Sequence, residues 1–303
     1  MRWLAGLLLA GTLHAQLPAP PAWFNRLEAA ERRAVREAWQ AGDRTAVRRM
    51  LAERAARTAD AEIYAWLGQS FFQSGETMQA GIAFAKADAI QPLNDADRFT
   101  LAMCYVALAM PERAGRELRR LPETPLHIYW LARLDYDAQQ FERALEGFRK
   151  ALAADPGFSR AYDNLGLSLE ALGRNEEAIE AYGKAMAGEG CPAWPRHNLG
   201  VLQRKLGRLE AAEGALRDAV RCDPNFAKAH HQLGLVLEAL GRTDEAMSAQ
   251  RRAVAIDPAL PEPHYSLSLL LRRAGKMAEA VAELEEFRKA KGRTAEAPAG
   301  PRR

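Results

Sequence analysis

The chain lacks an excess of charge of either sign. Its 42 Lys and Arg residues are nearly balanced by 39 Asp and Glu residues, which leaves a formal net charge of +3. A nucleic-acid-binding domain usually concentrates basic residues in a patch or stripe. We therefore expect no nucleic-acid partner, and we expect the arginines to form an evenly solvated surface.

The sequence motifs of common enzymes are also missing. The chain contains no Gly-rich phosphate loop, no His-Glu-x-x-His helix and no Gly-x-Ser-x-Gly elbow. An active site would have to be assembled from side chains of a surface groove, and no pair of catalytic groups stands out. We predict a protein that is not an enzyme and that needs no cofactor.

No hydrophobic run is long enough to span a bilayer. The apolar stretch from Trp3 to Leu13 follows the positive Arg2, and it is much shorter than the ~20 residues of a spanning helix. Leu13-His14-Ala15 is an acceptable cleavage site, so residues 1–15 are predicted to be a secretory signal peptide. An uncleaved anchor is the alternative. We expect an exported bacterial protein, periplasmic or secreted, with no transmembrane span in the mature chain and a Pro-rich spacer at 16–24.

The sequence does contain an internal repeat with a period of 34 residues. Asn-Leu-Gly at 164–166 returns as Asn-Leu-Gly at 198–200 and as Gln-Leu-Gly at 232–234. Leu-Gly-Arg returns at the same interval, at 172–174, 206–208 and 240–242. A fixed period of this length indicates stacked supersecondary units and not a single globular core.

Each unit is predicted to be a pair of short helices. The first helix carries apolar and small residues at i, i+3, i+4 and i+7, which form one face: Tyr162, Leu165, Gly166 and Leu169. Gly173 suits the left-handed residue that ends this helix. Neither helix can bury its apolar face alone, so stacking on the next unit completes the core.

These residues resemble the tetratricopeptide repeat family, whose 34-residue pattern contains Leu-Gly, two later alanines and a closing proline. The alanines stand at 178, 212 and 246 and at 185, 219 and 253, and the prolines at 156, 224 and 258. The resemblance implies an all-α, right-handed α-solenoid, a superhelix of about eight antiparallel helix pairs. We place a degenerate N-terminal capping repeat at 25–60, a disordered tail at 295–303, and repeats at 61–94, 95–124 (short), 125–158, 159–192, 193–226, 227–260 and 261–294.

In this family the first helices line a concave groove, and the resemblance implies a row of polar side chains in it. The row recurs every 34 residues just before the core leucine: Asn164, Asn198, Gln232 and Ser266. An amide can bond both the N–H and the C=O of an extended peptide. The row resembles the asparagine ladder in the peptide-binding arrays of O-linked N-acetylglucosamine transferases. Alternatively, these amides occupy a polar helix face or bond the neighbouring repeat.

Other inward positions are expected to give the groove two characters. The N-terminal part is aromatic, with Trp66, Phe72, Phe99, Tyr129, Trp130 and Tyr136. The C-terminal part is polar and somewhat basic, with Arg160, Asp163, His197, Arg204, Lys228 and His231. A peptide with an apolar anchor and a polar or acidic flank would fit both parts. The alternative for the aromatic residues is packing between repeats.

Two further sets of residues invite a structural interpretation. His197 and His231 occupy equivalent places in adjacent repeats, but no carboxylate or cysteine obviously completes a metal shell, so we expect no metal. Cys191 precedes a first helix and Cys222 ends the second helix of the same unit, so a hairpin brings both to one end. In an exported protein they are candidates for a disulfide, and the alternative is a pair of free thiols.

Together these observations predict a non-enzymatic scaffold for protein–protein interaction. The expected ligand is an extended peptide or protein segment held in the concave groove. The alternative is a structural subunit of a cell-envelope assembly that uses its convex face or the edges of its repeats. The sequence does not identify the partner, and an unrelated ligand can be bound by the same scaffold.

Overall fold

The structure is a computed structural model that describes residues 22–188 and 190–296, with the backbone alone for Ala22 and for residues 294–296. The predicted signal peptide and most of the predicted spacer and tail lie outside these residues. The described part of the chain folds into one 3₁₀-helix and sixteen α-helices, with no β-strand. None of the helices described is long and apolar enough to cross a membrane.

The α-helices follow one another as eight pairs, each joined by a short turn. After the 3₁₀-helix Ala22–Arg26, the pairs are α1 (Ala29–Gln40) and α2 (Arg44–Thr58), α3 (Ala61–Gln73) and α4 (Thr77–Ile90), α5 (Asp95–Ala107) and α6 (Pro111–Leu118), α7 (Pro125–Asp137) and α8 (Phe141–Ala154), α9 (Ser159–Ala171) and α10 (Asn175–Met186), α11 (Ala193–Lys205) and α12 (Leu209–Cys222), α13 (Ala227–Ala239) and α14 (Thr243–Ile256), and α15 (Pro261–Arg273) and α16 (Met277–Glu296). The prediction of an all-α repeat solenoid is confirmed.

The pairs divide into two compact units, one that ends at Pro122 and one that begins at Glu123. The first unit contains α1–α6. Its core holds Trp23, Val35, Leu51 and Ile63, all almost fully buried. The second unit contains α7–α16, and its largest buried side chains include Phe148 and Tyr182. Within each unit, successive helix pairs bury their apolar faces against one another, as a stacked repeat requires.

Local sequence explains where the helices begin and end. Gly173 follows α9 with φ +74°, the left-handed conformation that glycine adopts without a steric penalty. The shortened helix α6 begins at Pro111, where proline occupies the first helical position and needs no hydrogen-bond donor. The Asp43 side chain accepts a 2.9 Å hydrogen bond from the backbone N–H of Ala46 and so caps α2.

Two predicted boundaries differ from the structure. The spacer was expected to extend to Phe24, yet Trp23 and Phe24 lie in the 3₁₀-helix and are buried. Trp23 packs edge-to-face on Trp66 with 5.5 Å between ring centroids, because a large aromatic surface gains from leaving water. At the other end α16 continues to Glu296, so the first two residues of the expected tail are helical.

Candidate functional site

In the second unit the first helices of the repeats form a continuous inner layer. Helices α7, α9, α11, α13 and α15 contact one another in sequence, whereas contacts between successive second helices are weaker. The first helices of this unit are therefore closer together than the second helices. The face that the first helices share is the inner side of the stack and is called here the inner face.

Asn164 was predicted to line this face with its amide free, and the structure instead buries it, with 4% exposure. Its Nδ2 donates to the hydroxyl of Tyr129 at 3.2 Å and to the carbonyl of Arg160 at 3.0 Å. Its Oδ1 accepts a 2.9 Å hydrogen bond from Arg133. Tyr129 and Arg133 belong to the preceding repeat, so the amide joins adjacent first helices.

The amide of Asn198 makes a similar link one repeat later. Its Nδ2 donates to Oδ1 of Asp163 at 2.9 Å, and its Oδ1 accepts from Nδ1 of His197 at 3.2 Å. Burial raises the pKa of the Asp163 carboxyl to about 6, against the lowering effects of Asn198 and Arg133. Burial also lowers the pKa of His197 to about 4, so its ring is neutral at pH 7 and can donate from Nδ1.

The two remaining members of the predicted row also differ from a free ladder. Gln232 accepts a 3.2 Å hydrogen bond at Oε1 from Nε of Arg204, again across a repeat boundary. Ser266 is buried, with 8% exposure. Asn164, Asn198 and Gln232 therefore form hydrogen bonds with the neighbouring repeat, which was the alternative interpretation of the polar row. They can do so because the side chains of adjacent first helices approach one another closely.

His231, predicted to line the groove, is buried in the core. Its Nδ1 donates to Oε1 of Gln250 at 2.8 Å, and Nε2 of Gln250 donates back to the carbonyl of His231 at 3.2 Å. Burial lowers the pKa of His231. Gln250 is fully buried at the place that Tyr182 fills two repeats earlier. A polar residue at this core position needs a partner, and His231 supplies it.

The predicted aromatic residues are divided between the two units. In the first unit Trp66 packs against Trp23 and Trp39, and Phe72 and Phe99 are half-buried. In the second unit Tyr129 is buried in the core, and burial raises the pKa of its hydroxyl to about 12. The ring of Tyr129 packs against Phe148 and Phe158, which fits the alternative of packing in the core and leaves little of the ring for a ligand.

Trp130 and Tyr136 are half-buried and remain candidates for ligand contact. The guanidinium of Arg133 lies 5.4 Å from the centroid of the Tyr136 ring. Further along the unit, Trp194, His197 and Phe226 form a group of rings whose centroids are 4.6–5.7 Å apart.

Several polar side chains of α9, α11 and α13 are partly or fully exposed. Lys228 is exposed and its Nζ lies 5.9 Å from the Trp194 ring, close enough for a cation–π contact. Arg160, Asp163 and Arg204 are partly exposed. They lie on α9 and α11 within one compact unit and provide charges of both signs.

Sequence analysis missed an apolar row on the same helices. The row consists of the residue that directly follows the Leu-Gly pair in three repeats and Leu267-Ser268 in the fourth. Each member is partly exposed: Leu167, Val201, Leu235 and Leu269. Four residues before them stand Asp163, His197, His231 and Tyr265, which share the same side of each helix. The signal that could have revealed the row is an apolar residue at the same place in four successive repeats.

Cys191 and Cys222 are brought together as the hairpin geometry predicts. Their Cα atoms are 5.5 Å apart and the structure joins their sulfur atoms. Cys104 is a free, buried cysteine, and burial raises the pKa of its thiol to about 12. Within residues 22–188 and 190–296 there is no group of three His, Cys, Asp or Glu side chains that could hold a metal ion.

Comparisons with known proteins agree with the architecture. A family model described as tetratricopeptide repeat matches residues 129–195 and 197–261. A comparison with curated proteins finds no match. The structure of the APC/C hetero-tetramer Cut9–Hcn1 is similar with a TM-score of 0.60 at 18% identity, over 78% of this chain and 48% of that chain. At this identity the likeness shows the fold alone.

Two smaller proteins match a part of the chain. MamA is 25% identical with a TM-score of 0.48, over 54% of this chain and 95% of its own. YrrB, described as a TPR protein with an unusual peptide-binding site, is 23% identical with a TM-score of 0.46, over 58% of this chain and 91% of its own. The matched family model, the 34-residue period and the stacked helix pairs together identify residues 129–195 and 197–261 as tetratricopeptide repeats.

Proposed function

We propose that the protein is a non-enzymatic interaction scaffold that holds an extended segment of a partner protein on the inner face of the second unit. The observation that carries the proposal is the partly exposed apolar row Leu167, Val201, Leu235 and Leu269. An extended segment can place apolar side chains on this row at successive repeats. Proteins of this repeat family are in general scaffolds for protein interaction.

Side chains beside the row would select the segment. Lys228 and Trp194 offer a cation and an aromatic surface in contact with each other, a combination that is frequent where interfaces gain most of their affinity. The Asp163 carboxyl is partly desolvated and is paired with Asn198. A segment with an apolar anchor and mixed polar flanks fits this surface, and the amides of the predicted ladder would stay engaged between repeats.

Export is part of the proposal. If the signal peptide predicted at residues 1–15 directs secretion, the partner is met in the bacterial periplasm or outside the cell, where a bond between Cys191 and Cys222 would persist. The alternative role, a structural subunit of an envelope assembly, would use the second-helix face or the repeat edges and leave the inner face free.

The proposal can be tested with peptides selected from a displayed library of linear sequences against the purified protein. Val201→Asp and Leu235→Asp place charges in the apolar row, and we expect them to weaken the selected peptides by about tenfold or more. Glu210→Lys, on the exposed side of α12, is the matched control and should leave affinity unchanged. Circular dichroism verifies that each variant keeps its helices.

The opposite pattern would overturn the proposal. If the row variants bind the peptides as well as the wild type, or if Glu210→Lys alone abolishes binding, the inner face is not the binding surface. The assembly role would then gain support, because it predicts contacts on the second-helix side.

A further inference from the structure

The outer side of α4, in the first unit, is apolar and exposed. Met78 and Ile82 are 52% and 51% exposed, and Ala85 and Ala89 continue the same stripe in the next turns. The four residues are spaced by four, three and four positions, which keeps them on one side of a helix. We call these four residues the α4 seam.

Four repeats of the second unit have no large apolar residue at the equivalent places. The residue two places before the buried alanine of the second helix is Met78 in α4, and it is acidic in four later repeats: Glu142, Glu176, Glu210 and Asp244. The residue two places after that alanine is Ile82 in α4 and Glu146, Glu180, Gly214 or Ser248 in those repeats. The scaffold itself therefore needs no large apolar residue here, and exposing two of them costs solubility.

Arginines stand on both sides of the seam. Arg48 of α2 pairs with Glu76 just before α4 at 2.6 Å, and Arg120 just after α6 pairs with Asp88 of α4 at 3.1 Å. Helices α2 and α6 thus flank α4. Each flanking helix carries an arginine at the position equivalent to Ile82 of α4. This residue is Arg49 on α2 and Arg116 on α6.

This equivalence follows from the buried residues. Arg49, Ile82 and Arg116 each lie two places after the first fully buried residue of their helix, which is Val47, Ala80 or Ala114. Arg49 and Arg116 are exposed, and neither has an ion pair or hydrogen bond from its side chain to any other described residue. The apolar seam is therefore bordered by two cations that the described fold leaves unneutralised.

The spacing and the charge together indicate what covers the seam. A four-three-four stripe is the pattern that a partner helix accepts between its own side chains, and flanking arginines favour acidic residues on that helix. A second copy would bring arginines against arginines. A membrane surface is favoured by exposed Trp or Phe, and the seam has only Met, Ile and Ala. We propose that the α4 seam docks an amphipathic helix of a partner protein with acidic residues on both sides of its apolar stripe.

This docking is independent of the proposed function of the inner face. Its test uses the full chain and three synthetic peptides of about 21 residues, or three heptads. The first has leucines at heptad spacing with flanking glutamates, the second has the same leucines with flanking lysines, and the third is acidic with its leucines dispersed around the helix. Fluorescence anisotropy measures the affinity of each peptide.

Two sets of variants locate the binding surface. The double variant Met78→Glu, Ile82→Glu gives α4 the glutamates that α8 has at the equivalent positions 142 and 146. It should weaken the binding of the acidic amphipathic peptide by about tenfold or more. Arg49→Ser with Arg116→Ser keeps the seam and should weaken the same peptide several-fold while reducing its sensitivity to salt. Val281→Glu, at an exposed apolar residue of α16, is the control and should change nothing.

Binding of the acidic amphipathic peptide that both variant sets reduce would support the proposal. It would be overturned by equal binding of the lysine peptide or the dispersed peptide, or by no peptide binding at all. Binding of wild type, and not of the seam variant, to vesicles of phosphatidylglycerol and phosphatidylcholine would assign the seam to a membrane. Self-association that the seam variant loses would assign it to a second copy. Either result would also refute the proposal.

Discussion

Replacing Asn164 with alanine is expected to destabilise the fold and to leave peptide binding unchanged. The amide of Asn164 makes three hydrogen bonds, to the Tyr129 hydroxyl, to the Arg160 carbonyl and from Arg133. The Arg160 carbonyl still accepts the backbone bond of its helix after the substitution. The loss falls on Tyr129 and Arg133.

The magnitude can be estimated from these two partners. The Tyr129 hydroxyl is buried and would have no partner, which costs about 1–3 kcal/mol. Arg133 loses one charge-assisted bond and keeps its 3.1 Å ion pair with Asp137, so its contribution is smaller. We expect the free energy of unfolding to fall by about 2–3 kcal/mol in total.

Urea unfolding followed by circular dichroism measures this change. Tyr129→Phe is the companion variant, since it removes the hydroxyl that Asn164 contacts. With both substitutions no buried hydroxyl is left unpaired, so the double variant should cost less than the sum of the single variants by about 1 kcal/mol. A double-mutant cycle therefore separates the pair interaction from the general effect of truncation.

The outcome that contradicts this reasoning is a change of less than about 0.5 kcal/mol, which is typical of a surface site. If the Asn164→Ala variant kept its full stability and no longer bound the selected peptides, the amide would be a ligand-binding group, which is one of the two roles that the sequence suggested. A stability loss with unchanged peptide affinity would assign the amide to the junction between repeats.

Three other perturbations test the structure in different ways. Cys191 and Cys222 are separated by 31 residues, so replacing both with serine should lower stability by about 3–4 kcal/mol in oxidising buffer. In dithiothreitol the stability difference between this variant and the wild type should vanish. A wild type whose stability does not change with the reductant would contradict the disulfide bond. Folding raises the pKa of Asp163 to about 6, so the wild type loses stability as pH rises from about 4 to about 6. The Asp163→Asn side chain cannot ionise, so the stability of this variant relative to the wild type should increase between about pH 4 and about pH 6, as measured by urea unfolding. A stability difference that is the same at both ends of this range would refute the raised pKa of Asp163. Gly166→Ala places Cβ 2.6 Å from a buried tyrosine ring and should cost about 1–3 kcal/mol. Gly183→Ala, which meets no atom within 4 Å, should stabilise its helix by about 0.5–1 kcal/mol, and thermal unfolding compares the two.

Spacing alone does not determine which side chains of the predicted groove are accessible to a ligand. Asn164 and Lys228 both lie on inner positions of their repeats, yet one is buried and the other exposed. Asn164 is buried by Tyr129 and Arg133, which come from the preceding helix pair. The period places a residue on a face, and the neighbouring repeat decides whether a ligand can reach it.

The sequence by itself determined the helix pairs and their stacking. The 34-residue period and turn residues such as Gly173 act locally, through backbone preference and the burial of one apolar face, so they can be recognised without coordinates. Only the tertiary structure decided that Asn164, Asn198 and Gln232 bond between repeats, and that Met78 and Ile82 lie exposed between two arginine-bearing helices. These properties depend on side chains distant in the sequence, whose approach is set by the packing of one repeat on the next.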